Sequence, residues 1–421
     1  MTYVTYTKKT APAVFLFSFL SNRVMKKEIE PSAKKAACPY CGSAPINHAL
    51  SYCESLISVG VDGRMMKVVK YSPSFIKDLA EWIPVSLFKV FVSLNYATFS
   101  SDIDGAASFR SRIIWEEARK RGIVMEQLVL FGKPLDHYRA VINGATVYFE
   151  SIPIPSESLD MEKNWDDKIV LKKEFSKHGI PVPSYVQLPL IRGRSLQHYF
   201  SLFKTPIIVK PQVGSRGRHT VTNIHTFDQF RQGVAVVKKL CPYVAVEEHL
   251  EGPICRATLV GGVLAGFYRG QAPFIVGDGK KTIQKLIEEK DAARKSRVEI
   301  VPISDELHGY IGRSGFVIDD ILPADVRLFL SHHVGRLFGG TTKEMIDDLH
   351  PSFIPILEQA AAVTGLAIAG FDCIIPDPTA DASSQRWGII ECNTLPFIDL
   401  HYYALEGRPR NIAGMVWDLW K

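Results

Sequence analysis

The chain has 421 residues, of which 46% are hydrophobic and 22% are charged, and its net charge is +6. These values are typical of a soluble globular enzyme with about two to three domains. Basic residues occur only in short runs, which disfavours a nucleic-acid-binding protein, and the mild positive charge is compatible with anionic substrates. The seven cysteines are sparse and odd in number, unlike a secreted disulfide framework.

Residues 1–35 carry no recognisable targeting signal. The apolar stretch from Ala11 to Leu20 is too short to span a bilayer, and no small-x-small cleavage pattern follows it. Met25 begins a stretch that reads like an ordinary translation start. We therefore expect residues 1–35 to be a disordered leader or the product of a misassigned start, without a membrane segment.

Cysteines and a histidine cluster in residues 36–60. Cys38, Cys41, His48 and Cys53 have two, six and four residues between them. Three thiolates and an imidazole can surround tetrahedral Zn²⁺ completely, so the pattern predicts a structural zinc knuckle. A redox Cys-x-x-Cys site is disfavoured because no buried strand leads into Cys38. Cysteines without a metal remain the alternative.

Residues 61–155 are predicted to form a small α/β lobe. A helix is predicted from Ile113 to Arg121, where apolar side chains share one face. Strands are predicted from Met125 to Phe131 and from Ala145 to Phe149. Ile152 to Pro155 is predicted to be a linker, because its two prolines disfavour helix and central strand.

Residues 156–421 are predicted to form a larger domain. Its predicted helices are Asp166 to Lys177, Thr282 to Arg294 and Phe353 to Thr364. Its predicted strands are Pro206 to Pro211, Val244 to Glu248, Ala257 to Tyr268, Ile368 to Ile375 and Trp387 to Asn393.

The last two of these strands carry polar side chains in apolar surroundings. Asp372 lies in one strand, and Glu391 and Asn393 lie two residues apart in the next. Because strand side chains alternate, Glu391 and Asn393 should share one face of the sheet. Three hard oxygen donors suit Mg²⁺ and leave room for phosphate oxygens. The sequence therefore predicts a nucleotide enzyme.

A strand, a lysine and a glycine-bearing loop follow one another from Val209 to Gly217. Glycines let backbone amides approach a phosphate closely, and Lys210 supplies a positive charge. The loop is not a P-loop, because no Gly-Lys-Ser/Thr follows. On its own, the pattern also fits a plain hairpin with a solvated lysine.

The stretch from about Asp166 to Tyr402 resembles the ATP-grasp superfamily, and most of all the ATP-grasp module of cyanophycin synthetases and of bifunctional glutathione synthetases. The resemblance rests on motifs in a fixed order: Asp167-Lys168 with Gly179-Ile180-Pro181-Val182-Pro183, Val209-Lys210-Pro211, Val246 to Gly252, Arg269 with Val276 to Ile283, Gly339-Gly340-Thr341 with Asp347, His350 and Pro351, Ala369 to Asp372, and Glu391-Cys392-Asn393. It implies an α+β ATP-grasp fold, with two subdomains that clasp ATP, over residues 156–421.

The resemblance also implies roles for individual residues. Lys168 and Lys210 would hold the α- and β-phosphates, and Arg269 would face the transferred phosphate. Asp372, Glu391 and Asn393 would bind two Mg²⁺ ions. A loop over the phosphates would comprise Gly214, Ser215, Arg216, Gly217 and Arg218. The adenine and ribose contacts would come from Glu247, Glu248, His249, Leu250 and Glu251. The substrate contacts would come from Arg256, Gly339, Gly340, Thr341 and His401.

The implied reaction joins a carboxylate to an amine, on an amino acid or small peptide, through an acyl phosphate, with release of ADP and phosphate. A glutathione-like dipeptide ligase differs from this only in its substrate, and a small-molecule kinase would use the same groups. A non-catalytic nucleotide-binding scaffold is disfavoured, because the lysines, Arg269 and all three metal residues are present. ATP chemistry favours the cytoplasm, neither nucleic acid nor a membrane is an expected partner, and a homo-oligomer stays open.

Several positions depart from the pattern of the related enzymes. Ile254 stands where an acidic residue usually holds ribose, and Gly335 stands where an asparagine is usual. Ser331 and His332 replace two arginines. The substrate therefore cannot be carried over from the relatives. The sequence also shows no Mur-ligase-like second enzyme, so polymerisation of both amino acids of cyanophycin is not expected.

Overall fold

The computed structural model describes residues 2–5, 38, 40–41, 46–60, 91–155, 163–190, 195–214, 217–331 and 334–421. The strands are β1 Thr2–Thr5, β2 Ala97–Ser100, β3 Met125–Leu130, β4 Lys133–Ile142, β5 Ala145–Glu150, β6 Tyr185–Leu188, β7 Ile207–Pro211, β8 Val221–Ile224, β9 Val244–Glu248, β10 Ile254–Val260, β11 Val263–Gln271, β12 Phe274–Val276, β13 Arg327–Phe329, β14 Thr341–Glu344, β15 Ile368–Ile374 and β16 Gly388–Asn393. The α-helices are α1 His48–Gly60, α2 Phe109–Lys120, α3 Lys168–Lys177, α4 Leu196–Phe200, α5 Phe227–Lys238, α6 Ile283–Ala292, α7 Asp305–Gly312, α8 Phe353–Thr364, α9 Asp399–Tyr402 and α10 Ile412–Asp418.

The first sheet has the strand order β1-β5-β4-β3-β2. Strands β2 to β5 are paired antiparallel, and only β1 and β5 are parallel. The small lobe contains the predicted helix and both predicted strands, and the additional strand β4, which was not predicted, makes β3 to β5 an antiparallel meander. Thr2–Thr5 pairs with β5, so the predicted disorder of residues 1–35 is wrong for these four residues. The rest of that leader lies outside the described residues.

The segment after β5 is part of the hydrophobic core and not the predicted linker. Ile152 and Ile154 are 1% and 4% exposed and belong to a cluster with Trp115 and Trp417. The indole of Trp420 donates a hydrogen bond to the carbonyl of Pro153 at 3.1 Å. The prolines exclude regular structure, as expected, but the extended segment is covered by the C-terminal helix α10.

The second sheet is antiparallel, with the order β6-β9-β7-β8. Helix α5 packs on it through Phe230, Val234 and Val237. Thr226 caps α5 with a capping box, in which Gln229 bonds back to the Thr226 amide. This sheet carries Lys210 on β7 and Glu247 on β9.

The third sheet is antiparallel, with the order β14-β11-β10-β15-β16. Helices α3 and α8 cover one face, where Phe175 and Leu357 pack among Phe371, Cys255 and other side chains. The opposite face carries the polar side chains of the candidate site. A small two-stranded sheet, β12-β13, packs with α6 and α7 in a separate cluster.

Strand β9 and helix α8 have the bounds predicted from the sequence. The stretch predicted as strand from Ala257 to Tyr268 is a hairpin of β10 and β11 with Gly261 and Gly262 at its turn. None of the described residues belongs to a helix with the length and apolarity needed to cross a bilayer.

Candidate active site

Three charged side chains form a row across the third sheet. Arg256 on β10 lies opposite Asp372 on β15, which lies opposite Glu391 on β16. Directly opposite residues of antiparallel strands have their side chains on the same face. Nε and Nη2 of Arg256 donate to the two carboxylate oxygens of Asp372 at 2.6 and 2.7 Å. This bidentate pair is mostly buried, with 9% and 16% of the two side chains exposed.

Asn393 joins the row, as the alternation of β16 predicted. Its Nδ2 donates to Oδ2 of Asp372 at 3.2 Å. The predicted convergence of Asp372, Glu391 and Asn393 is therefore present in the structure. Carboxylate and amide oxygens are the donors that Mg²⁺ prefers, so the residue types fit this ion. Each carboxylate oxygen keeps lone pairs beyond those used by Arg256.

Helix α3 lies between the second and third sheets at the site. Asp167 caps the helix, with its side chain accepting from the amides of Ile169 and Val170. Nζ of Lys168 donates to the carbonyl of Gly214 at 2.9 Å and lies 3.6 Å from Oε2 of Glu391. Lys168 therefore touches both the glycine-bearing loop and a predicted metal ligand.

A buried ion cluster lies next to Lys168. Oε1 of Glu247 lies 3.0 Å from Nζ of Lys172, and Oε2 lies 2.9 Å from Nζ of Lys210. Lys172 also donates to the carbonyl of Ile390 at 3.0 Å, so it connects β9 of the second sheet to β16 of the third. Lys172 was not predicted as a site residue from the sequence.

Burial sets the ionisation of this cluster. Desolvation lowers the pKa of Lys172 to about 7, although the Glu247 carboxylate works in the opposite direction. Burial by itself would raise the pKa of Glu247, but the ammonium groups of Lys172 and Lys210 outweigh it, so the pKa is lowered. Glu247 therefore stays ionised at neutral pH and holds Lys210, the predicted phosphate lysine, in place.

The predicted adenine segment is already partly hydrogen-bonded within the protein. The amide of Glu248 donates to Ser184 at 3.0 Å, and the amide of His249 donates to Pro206 at 3.3 Å. The Glu248 carboxylate pairs with Arg386 at 2.8 Å. Two more residues of this segment were predicted to contact the nucleotide. Leu250 is buried, and Glu251 is exposed.

The glycine-bearing loop connects β7 to β8. Gly214 and Gly217 have φ angles of 127° and 63°, in the region that favours glycine. The Gly214 carbonyl faces Lys168. The predicted loop residues Ser215 and Arg216 lie outside the described residues, while Arg218 is among them.

Arg269 does not join the row of Arg256, Asp372 and Glu391. It lies opposite Cys255, on the face covered by α3 and α8 and therefore turned away from Asp372. Arg269 makes no hydrogen bond or ion pair with another described residue. The pKa of the Asp377 carboxyl is lowered, mainly by hydrogen bonds from Thr379 and to a smaller extent by the positive charge of Arg269. This position does not favour the predicted contact of Arg269 with the transferred phosphate, which stays a prediction. On the face that carries Asp372, the arginine is Arg256.

A β-bulge determines which face of the sheet Arg269 is on. A two-residue turn at Gly261-Gly262 pairs Leu259 with Leu264, and a regular register would then pair Arg256 with Phe267. The bulge adds one residue to β11, so that Arg256 pairs with Tyr268. One added residue turns every later side chain of the strand to the other face.

The predicted substrate residues at the start of β14 form a tight turn. A Cβ on Gly340 would lie 2.0 Å from the carbonyl oxygen of Gln271, so only glycine fits there. Thr341 Oγ1 contacts Gln271 Oε1 at 3.5 Å. Gly335 has a φ of 88°, and the next residue, Arg336, forms a buried ion pair with Asp399. Gly339 accepts a hydrogen bond from Lys290 at 2.5 Å.

His401, another predicted substrate residue, is fully buried on the site face of the third sheet. Its Nε2 lies 2.8 Å from Oγ1 of Thr258, and its Nδ1 lies 2.5 Å from Oε2 of Glu344. Its ring packs 5.1 Å from that of Tyr268, which lies beside Arg256. His401 is therefore a buried residue that packs under the site through Thr258, Glu344 and Tyr268.

The predicted zinc cluster has a different fourth member. Cys38, Cys41 and His48 come together with His219, and their ligand atoms lie within 4.8 Å of one another. Cys53 is exposed and is not in this group. His48 and Cys53 are five residues apart on helix α1, which turns their side chains about 140° away from each other. The prediction is therefore corrected at Cys53.

Comparison with known proteins supports the resemblance. Over 269 residues the chain is 28% identical to the cyanophycin synthetase of Synechocystis sp., covering 60% of this chain and 30% of the relative. It is 25% identical to the bifunctional glutathione biosynthesis protein of Streptococcus mutans, covering 67% of this chain and 38% of the relative. The predicted resemblance to these two groups is confirmed, and the described residues have the mixed α+β architecture that was predicted.

The chain spans about a third of the length of the relatives it matches. A bifunctional glutathione synthetase from Pasteurella multocida aligns in structure with a TM-score of 0.46 and 22% identity, over 74% of this chain and 43% of the other. No protein-family model matches the sequence.

Proposed function

We propose that this chain is an ATP-dependent carboxylate–amine ligase. Its carboxylate substrate would be an amino acid or a small peptide, as the similarity to cyanophycin and glutathione synthetases suggests. The observation that carries the proposal is the convergence of Lys168, Arg256, Asp372 and Glu391 from one helix and three strands. These are the charges that transfer of a phosphoryl group to a carboxylate requires.

Two lysines are placed to hold the phosphates of ATP. Lys168 and Lys210 are 6% exposed, so their charges act in a medium of low polarity. Glu247 orients Lys210, and the Gly214 carbonyl orients Lys168. Lys168 also approaches Glu391, at 3.6 Å, and this longer contact is the one that a bound phosphate chain would replace.

Asp372, Glu391 and Asn393 would hold Mg²⁺. When bound, the ion would neutralise phosphate charge as it shifts during transfer. The two carboxylates lie opposite each other on neighbouring strands, and the buried pair with Arg256 fixes the position of Asp372.

Arg256 is the cation best placed for the acyl phosphate. Its Nη1 is buried and has no hydrogen-bond partner among the described residues. An unpaired buried donor costs about 1–3 kcal/mol, and a phosphate oxygen would relieve that cost. Arg256 also lies opposite Tyr268, whose ring packs against that of His401. Tyr268 is on β11, which pairs with β14 next to the turn at Gly340.

The reaction would proceed in two steps. A carboxylate oxygen attacks the γ-phosphorus, the bond to the β,γ-bridging oxygen breaks, and ADP leaves. The amine nitrogen then attacks the acyl carbon, the carbon–oxygen bond to phosphate breaks, and the amine proton leaves with phosphate or water. Arg256 would stabilise the phosphoryl oxygens in both steps.

A substrate screen tests this proposal. ADP formation would be measured with ATP and Mg²⁺ over a panel of amino acids and short peptides offered as carboxylate and amine. We expect sustained ADP formation, in equal amount with a new amide, only when both substrates are present, because the acyl phosphate formed from the carboxylate alone allows a single turnover. Sustained ADP formation with one substrate and accumulation of its stable phosphorylated product would identify a kinase, and nucleotide binding without turnover over the whole panel would identify a binding protein.

The two arginines give a sharper prediction for the same assay. Arg256→Lys is expected to lower kcat about 100-fold, because lysine cannot pair with both oxygens of Asp372 and reach the phosphate. Arg269→Lys is the matched control and should stay within about threefold of wild type, since it lies on the other face of the sheet. The reverse order of effects would restore Arg269 to the site and remove Arg256 from it.

A further inference from the structure

We propose that Cys38, Cys41, His48 and His219 bind one structural Zn²⁺ ion. The ion would link the N-terminal segment, which carries Cys38, Cys41 and His48, to the loop between β7 and β8. The ligand atoms of these four residues lie within 4.8 Å of one another. His219 is 181 residues from Cys38 along the chain, so the grouping arises from the fold and not from a local motif. This inference does not depend on the proposed ligase activity.

The distances match a tetrahedral zinc site. Zinc–sulfur and zinc–nitrogen bonds of about 2.3 and 2.05 Å place tetrahedral sulfur and nitrogen ligands about 3.6 Å apart. Nε2 of His219 lies 3.5 Å from Sγ of Cys38 and 3.6 Å from Sγ of Cys41. Nε2 of His48 lies 2.9 Å from Sγ of Cys41, which is closer than that separation. Two thiolates and two imidazoles form a set that selects Zn²⁺ over Mg²⁺.

His219 is oriented as a metal ligand. Its Nδ1 lies 2.7 Å from the carbonyl oxygen of Val236, an acceptor that fixes the proton on Nδ1 and leaves the lone pair of Nε2 facing the thiols. Metal-binding histidines commonly have such a carbonyl behind them. His219 is 1% exposed, and its backbone has a φ of 53°, which is uncommon for a residue other than glycine.

Backbone hydrogen bonds hold the two parts of the site together. The amide of Cys41 donates to the carbonyl of Cys38 at 3.1 Å and closes the Cys-x-x-Cys turn. The amide of His219 donates to the carbonyl of Tyr40 within that turn, also at 3.1 Å. His48 is the first residue of α1, so the helix holds its ring against that of His219, 4.9 Å away.

Four protein ligands leave no open coordination position, so the ion would be structural. It would fix the end of the β7–β8 loop that enters β8, five residues after Gly214, whose carbonyl contacts Lys168. The zinc would thus hold the N-terminal segment against the loop next to the candidate active site.

Metal analysis of variants tests the ligand set. Purified wild-type protein should contain about one zinc per chain. His219→Ala should lower zinc affinity at least about 100-fold in a competition titration with a chromogenic chelator. Cys53→Ser is the matched control and should bind zinc like wild type. Loss of zinc in Cys53→Ser with retention in His219→Ala would overturn the proposal, and so would wild-type protein without zinc.

Cobalt replacement and alkylation test the same set in the wild-type fold. The Co²⁺-loaded protein should show charge transfer from two thiolates, with an intensity unchanged in Cys53→Ser. Iodoacetamide should modify Cys53 at once, but Cys38 and Cys41 only after a chelator removes the metal. The alkylation experiment uses wild-type protein only, so its result does not depend on the folding of a variant. Protection of Cys53 together with Cys38 and Cys41, or a Cys38–Cys41 disulfide, would contradict the site.

Discussion

Replacing Glu247 with glutamine is expected to lower the free energy of unfolding by about 3–5 kcal/mol. The carboxylate is 1% exposed and pairs with the ammonium groups of Lys172 and Lys210 at 3.0 and 2.9 Å. Without it, Lys210 and the protonated form of Lys172 would be buried side by side without a counter-charge. Denaturant unfolding at pH 7 measures the change.

Glu248→Gln is the control for Glu247→Gln. Glu248 is the next residue on β9, and its partner Arg386 has a side chain that is 53% exposed. A pair of this kind contributes at most about 1 kcal/mol. Equal losses in the free energy of unfolding for the two substitutions would show that the buried cluster contributes no more to stability than the exposed pair.

The loss in Glu247→Gln should also depend on pH. The pKa of Lys172 is about 7 in the folded protein and 10.5 for the unperturbed group. The unfolded state therefore binds more protons between these values, and wild-type stability contributed by this group rises with pH across that window. At pH 9 Lys172 is largely neutral, so Glu247→Gln should cost less there than at pH 6. A penalty that is the same at both values would contradict this ionisation.

The second large effect is expected at the predicted metal ligands. Asp372→Asn and Glu391→Gln should each lower ATP-dependent turnover at least about 100-fold, because each removes a charged oxygen donor for Mg²⁺. Higher Mg²⁺ should restore part of the activity of Glu391→Gln, whose contact with Lys168 is long, at 3.6 Å. Turnover would be measured as ADP release with the substrates found in the screen.

Asp348→Asn serves as the control for these two substitutions. Asp348 pairs with Lys343 at 3.0 Å, and half of its side chain is exposed. Circular dichroism and the midpoint of unfolding would confirm that each variant is folded, because Asp372→Asn also removes the partner of Arg256. Turnover close to wild type in either folded variant of Asp372 or Glu391 would contradict the metal assignment.

The sequence was sufficient to predict the parts of the site that depend on short-range alternation. Glu391 and Asn393 are two residues apart in one strand, and Asp372 lies in the neighbouring strand of a β-hairpin. Strand β9 and helix α8 were likewise predicted from apolar runs alone. In these cases one local pattern determines which side chains share a face.

Long-range register and burial could not be predicted in the same way. The face of Arg269 depends on a bulge at Ala265 in β11, opposite Thr258 and Leu259, for which the sequence carries no clear signal. The contact of His219 with Cys38 depends on the packing of distant segments. Lys172 could have been found, because it follows Lys168 by four residues on α3, beside the buried Leu171 and Phe175. A lysine on an apolar helix face indicates a buried partner.

The most direct test of the central claim is transfer of an oxygen label. The carboxylate substrate would carry ¹⁸O, and the released phosphate would be analysed by mass spectrometry. A ligase that forms an acyl phosphate should move one labelled oxygen into phosphate for each amide formed, with ADP released in equal amount. Release of AMP and pyrophosphate, with the label in AMP, would show an adenylate intermediate and contradict the proposed function.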